Sequence, residues 1–363
     1  MPSPETESIW RERNDAASVW MKRGIALLNE PSPERLKAAI GCFDQAIEIR
    51  KSLPLEVQPW FAYGLSAGWL NRGDAFRQLA SAPDLEEAIR SFDEGIALLH
   101  KLPLDENPLY RKRSVIARLN RGLCLHAQRT DRGLNEALRS FDECVSLLQP
   151  TAAFQIPEHR QLLAAAWTNR GNVLLDFAKP DALEARRAAH QALEILAHRE
   201  TQEPALAEIA LKARHILCRA IAHLLADSES PMASADLIQE ATDAVEGGLA
   251  LTRNSDSSVP PELIGLQDDL FRFGARIYQR YQPHFLTEFL LEHLEPNRDR
   301  DSVVSAQTHR AILETLWRAT AELQREGFSK LNTPRFERLL RDLSDLRVVE
   351  EKLNQLRAAQ FRS

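Results

Sequence analysis

Asn71, Asn120 and Asn169 stand 49 residues apart. An asparagine amide offers one accepting oxygen and two donor protons, so a row of them can hold the backbone of an extended peptide without reading its side chains. Asp74, Arg77, Gln78, His126, Asn172 and Asp176 follow these asparagines within two helical turns. They are candidates for setting preference among such peptides. This is the chemistry of recognition rather than turnover. The phosphate-cradling GxxxxGK[ST], the dinucleotide GxGxxG, the zinc-binding HExxH and the EF-hand loop are all missing. The ten histidines do not fall at metal-ligand spacing. Cys42, Cys124, Cys144 and Cys218 lie far apart within apolar helical patterns, where a free thiol behaves as a small hydrophobe. No catalytic residue, metal ligand or cofactor is expected.

The elements that position these residues come from a repeat. Trp20-Met-Lys-Arg-Gly24, Trp69-Leu-Asn-Arg-Gly73, Arg118-Leu-Asn-Arg-Gly122 and Trp167-Thr-Asn-Arg-Gly171 step along the chain by 49 residues. Ile216-Leu-Cys-Arg-Ala220 is a fifth, altered copy, and Lys22 and Cys218 replace Asn in the first and fifth copies. A second block reads Ala39-x3-Phe43-Asp44, Ala88-x3-Phe92-Asp93 and Ala137-x3-Phe141-Asp142, with degenerate copies at Ala185–Ala189 and Ala241–Val245. Pro59, Pro108 and Pro157 keep the same phase, and proline suits the first turn of a helix, where its missing N–H has no partner anyway. Ala88, Ile89, Phe92, Ile96 and Leu99 form the stripe of a helix that buries one face. Each unit therefore predicts helix A, a short turn, helix B and a longer connection. In the second unit, helix A covers 59–79 and helix B starts near Leu85. The protein is expected to be all-α.

These blocks resemble the tetratricopeptide repeat (TPR), with its Trp-x2-Leu-Gly-x2-Tyr and Ala-x3-Phe signatures. The resemblance covers about residues 10–255 and implies a right-handed α-solenoid of antiparallel helical hairpins, a TPR-like superhelix. It also implies that Asn71, Asn120 and Asn169 face a concave groove, and that Asn172 takes a position used for carboxylate or backbone contacts. The unit here is 49 residues rather than the family's 34, so the helices are expected to be longer. Five repeats are expected over 1–255, a degenerate sixth over 256–296, and a C-terminal helical pair over 297–363, acting as a cap or docking element.

Arg23, Arg72, Arg121, Arg170 and Arg219 recur in every unit. They are read as structural, with Asp44, Asp93 and Asp142 as candidate partners. Units four and five lack that Asp. Arg111-Lys112-Arg113 and Arg186-Arg187 read as solvated faces, and Gly247-Gly248 as a local bend in a helix.

With 46 Lys+Arg against 52 Asp+Glu, the net charge is −6, which argues against a nucleic-acid partner. No uninterrupted apolar run of about 18 residues is present, so no membrane span is expected. The polar, acidic first residues and the scattered cysteines predict a cytoplasmic protein. The expected function is that of a non-catalytic scaffold binding a protein or peptide partner in its groove. A ligand-sensing regulatory module acting through the C-terminal helices, or a self-assembling structural subunit, is the alternative, and a homo-oligomer stays open.

Overall fold

The computed structural model describes residues 3–149, 156–196, 203–227, 231–253 and 261–282, together with Phe285 and Phe289. Among these residues every regular element is a helix and no strand occurs. The helices are α1 (Pro4–Leu28), α2 (Pro33–Lys51), α3 (Pro59–Leu79), α4 (Ala82–His100), α5 (Pro108–Ala127), α6 (Asp131–Leu148), α7 (Pro157–Asp176), α8 (Ala182–Leu196), α9 (Pro204–Asp227), α10 (Pro231–Arg253) and α11 (Pro261–Tyr281). The chain divides into two compact units, Met1–His223 and Leu224–Ser363. The sequence-derived boundary at 255/256 and the C-terminal pair at 297–363 lie outside the described residues.

Local chemistry starts these helices where the sequence predicts. Proline opens α1, α2, α3, α5, α7, α9, α10 and α11. The side chains of Ser3, Ser32, Ser81 and Thr130 accept from the backbone N–H of Thr6, Arg35, Asp84 and Gly133, satisfying donors that the first turn leaves unpaired. One boundary moves. The expected five-residue turn after α3 shrinks to Ala80 and Ser81, because Ser81 caps α4 and takes Pro83 into its first turn. Ala80 closes α3 in the left-handed region at φ 59°. In the other unit, α10 continues through Gly247-Gly248.

In the first unit, helices pair in order. α1 packs on α2, α3 on α4, α5 on α6 and α7 on α8, and each pair packs on the next through α2–α3, α4–α5 and α6–α7. The first helices of successive hairpins also touch (α1–α3, α3–α5, α5–α7), whereas their second helices approach less closely. The repeated glycine explains the close pairing within a hairpin. A Cβ added at Gly24, Gly73 or Gly122 would stand 2.5, 2.9 or 2.6 Å from the ring of Phe43, Phe92 or Phe141. Each of those rings is 0% exposed. Full burial of such a side chain contributes about 1.5–3 kcal/mol, and only a hydrogen at the facing position lets the ring lie flat against the helix. At Gly171 the phenylalanine is lost, and Ile216 and Ala188 fill the space at 3.1 and 3.4 Å.

The core is segmented. One cluster joins Ala17, Ala39, Phe43 and Ala46 to Ala75 of the next hairpin. A second joins Ala88, Phe92 and Leu99 to Ala117 and Cys124. A third joins Leu134, Phe141 and Cys144 to Leu163, Ala166 and Val173. All four cysteines are free and buried, and burial pushes the Cys124 thiol up to about 12. Such a thiol is a packing group, not a nucleophile. In the second unit, α10 packs on α11.

Candidate functional site

The expected recognition residues fall along the first helix of each hairpin. Asn71, Asp74 and Gln78 sit at i, i+3 and i+7 of α3, and Asn169, Asn172 and Asp176 repeat that spacing on α7. Residues so spaced share one helix face. Asn120 on α5 continues the row, but Leu123 and Ala127 interrupt it. Asn71, Asn120 and Asn169 are half-buried. Among the described residues their amides make no hydrogen bond, so donors and acceptor alike are left to water or to a ligand.

The charged neighbours are tied to one another. Arg77 donates to Asp74 Oδ1 from Nε at 3.0 Å and from Nη2 at 2.6 Å, and Gln78 Nε2 donates to Asp74 Oδ2 at 3.0 Å. The second group joins α5, α7 and α9. His126 Nε2 lies 2.8 Å from Asp176 Oδ2, while Arg219 reaches Asn172 Oδ1 at 2.7 Å and Asp176 Oδ1 at 2.8 Å. Burial by itself raises the Asp176 carboxyl, but the Arg219 and His126 hydrogen bonds outweigh it and hold the group below the usual carboxylate range. The charged groups of this face therefore form two internally paired clusters, Asp74–Arg77–Gln78 and His126–Asn172–Asp176–Arg219. Arg219 belongs to this second cluster, although its type and spacing mark it as a copy of the structural arginines.

Those arginines behave differently in the central units. Arg72 Nε donates to Asp44 Oδ1 at 2.8 Å, Arg121 Nε to Asp93 Oδ1 at 2.6 Å and Arg170 Nε to Asp142 Oδ1 at 2.8 Å. The partner always belongs to the preceding hairpin. This explains why the fourth arginine keeps its bond although the fourth unit has no Asp: the loss is felt by Arg219, which turns to α7 instead. Arg72 and Arg121 also bind Ser91 and Ser140 of their own hairpins at 2.6 and 2.8 Å. Arg23, Arg72 and Arg170 lie over Trp20, Trp69 and Trp167 at 5.5–5.6 Å, which adds a cation–π contact to the buried stem.

The basic run at the start of α5 is not a solvated face. Arg111 is buried at 7% exposure and reaches Asp105 at 3.1 Å. Arg113 lies over the Tyr63 ring at 3.6 Å and donates to the Tyr63 carbonyl at 3.0 Å. Arg50, which the repeat pattern does not flag, is also buried and bonds Asn14, Ser18 and the Gly64 carbonyl across α1 and α3. Residues 64–68, Gly-Leu-Ser-Ala-Gly, carry the G-x-S-x-G spacing of a nucleophile elbow. That motif needs a sharp strand-to-helix turn to expose its serine. Here it lies inside α3, where Ser66 is 0% exposed and donates to the Tyr63 carbonyl at 2.7 Å. Among the described residues no group of His, Cys, Asp and Glu is arranged to hold a metal ion. No described helix is long and apolar enough to cross a membrane.

No protein-family model matches the chain, and no curated protein matches it.

Proposed function

We propose that the chain is a TPR-like interaction scaffold that takes an extended peptide, or a partner helix, along the face formed by the first helices of its hairpins. The observation that carries this reading is the set of half-buried amides at Asn71, Asn120 and Asn169 with no hydrogen-bond partner among the described residues. A polar group held half out of water without a partner gives up stability that an internal hydrogen bond would supply, and that loss is recovered when a ligand backbone occupies the row. The closer approach of α1, α3, α5 and α7 to one another supports the same reading. In a curved right-handed superhelix with a groove, these helices would take the inner side. Recognition of this type works through many weak backbone contacts, with the Asp74–Arg77–Gln78 and His126–Asp176–Asn172–Arg219 clusters discriminating at either end. No residue is assigned a catalytic role, and the expected setting is the cytoplasm.

The test compares wild type with the Asn71→Ala, Asn120→Ala, Asn169→Ala triple variant as baits for host proteins, with circular dichroism establishing that both fold. Because the three amides hold nothing internally, the variant keeps the wild-type stability to within about 1 kcal/mol. Partners held by wild type and lost by the folded variant support the groove. Identical partner sets from both baits refute it.

A further inference from the structure

Two cations in the first unit have no counter-charge. Arg50, Arg111 and Arg118 are buried, and the latter two are paired with Asp105 and Glu143. Arg50 instead bonds neutral acceptors: Asn14 Oδ1 at 3.3 Å, Ser18 Oγ at 3.2 Å and the Gly64 carbonyl at 2.7 Å. Half-buried Arg113 donates from Nη1 to the carbonyl of the preceding residue, Tyr63, at 3.0 Å. Like Arg50, it makes no ion pair among the described residues. The two guanidiniums thus hang on adjacent carbonyls of α3. Burial lowers the basicity of both, and at Arg50 the nearby charge of Arg113 lowers it further.

Packing does not call for this arrangement. One and two repeats after Arg50 stand Leu99 and Leu148, both 0% exposed, so the later hairpins fill the same position with a leucine. A buried cation without a counter-charge costs stability, and a ligand anion recovers it. Arg113 is placed to receive one. It shares a helix face with Ile116 and Asn120, at i, i+3 and i+7 of α5, and so lies on the stripe of the amide row. Its guanidinium carbon sits 3.6 Å from the centroid of the Tyr63 ring, which packs against Tyr110 at 5.0 Å. The Nε and Nη2 protons have no protein acceptor among the described residues, and neither atom is sealed from water. This is the edge of the fork with which Arg77 holds Asp74. A guanidinium fixed by one ring face and one corner, with that edge open, matches a carboxylate.

We propose that this edge of Arg113, reinforced by the neighbouring charge of Arg50, receives the side-chain carboxylate of an aspartate or glutamate in the peptide that lies on the amide row. The inference rests on the groove reading above and adds the chemistry of the ligand. The partner segment is acidic, and its carboxylate docks two helical turns, about 10 Å along α5, before Asn120.

Display selection of random peptides on the full-length protein supplies the probes. They are then synthesised with amidated C-termini, so that only side-chain carboxylates are read. Selected peptides carry Asp or Glu at one fixed position, and its replacement by Asn or Gln weakens binding to wild type about tenfold, the size expected of a charge-assisted pair. Against Arg113→Gln the same replacement changes affinity less than about twofold. Arg50→Leu, which installs the residue of the later hairpins, folds as wild type by circular dichroism and narrows the acid-to-amide ratio several-fold. Peptides without an acidic preference, or an acidic preference that survives intact in either folded variant, overturn the proposal. The Asn71→Ala, Asn120→Ala, Asn169→Ala variant separates this failure from that of the groove. Peptides that lose affinity for it yet show no acidic preference refute the arginine site alone. Peptides that keep full affinity for it while Arg113 discriminates acid from amide refute the amide row alone. A selection that enriches nothing overturns both.

Discussion

At the scale of single residues, what decides tolerance is the space in front of a Cβ. Gly122 and Gly41 are both helical but face different surroundings. An added methyl at Gly122 meets the Phe141 ring at 2.6 Å, whereas at Gly41 nothing lies within 4 Å. Phe141 is 0% exposed and has nowhere to retreat. Gly122→Ala is therefore expected to cost about 1–3 kcal/mol through overpacking. Gly41→Ala, at an exposed position of α2, is expected to stabilise by about 0.5–1 kcal/mol through the lower entropy of the unfolded chain. Urea denaturation of the two variants checks the contrast, and equal signs would show that the ring has room to move. His159 obeys the same logic of place. It occupies the repeat position of Phe61 and Tyr110, is 2% exposed, and burial lowers its basicity, helped by nearby Arg111 and Lys112 and opposed by the Pro108 backbone and Glu158. A histidine there is a core residue rather than a ligand.

At the scale of helices, the junction of α5, α7 and α9 is electrostatic. Asp176 takes hydrogen bonds from Arg219 and has His126 at 2.8 Å, and its carboxyl titrates below the ordinary range. A depressed folded value means that the unfolded chain takes up the proton first. The stability it contributes is complete above the unfolded pKa of about 3.9 and is lost as pH falls through the folded value. Asp176→Asn is thus expected to be less stable than wild type at pH 7, and the gap is expected to close as pH falls below about 4. Thermal melts across that range decide it; a gap that stays constant with pH would assign the loss to packing instead. This junction also marks how far the sequence could be read. The hairpins and their proline starts were legible because each is a local pattern repeated in phase. So was the recurrence of the glycine and the phenylalanine, but not that the ring packs on the glycine of its own hairpin. The partners of the arginines were not, since the recurring Asp appears to belong to the same unit until the structure shows the bond crossing to the next. The embedding of Arg111 and Arg113 was hidden for a similar reason: a run of charges carries no mark of the aromatic ring or the carboxylate that folding places against it. The free amides were legible as a pattern, and only their lack of internal partners needed coordinates.

At the scale of the first unit, the segmented core dictates how damage spreads. Each apolar cluster joins one hairpin to the leading helix of the next, so a hairpin is supported by its neighbours and not by a common centre. Stability in such an array is close to a sum of hairpin terms and nearest-neighbour interfaces. Phe141→Ala removes the central ring of the third cluster and is expected to cost about 3–5 kcal/mol. That loss is borne first by α5, α6 and α7, while α1, α2 and α3 share no cluster residue with Phe141. Hydrogen exchange should therefore rise first and most in 108–148 and 157–176, with protection retained across 4–51. A uniform rise over all these helices would mean that the unit unfolds as one cooperative body, and the nearest-neighbour account would fail. Localised loss would carry a further consequence for the amide row, because Asn120 and Asn169 lie on the loosened helices and Asn71 does not. A ligand spanning all three amides would then restore protection to α5 and α7 more than to α3, which links the proposed groove to the energetics of the array that forms it.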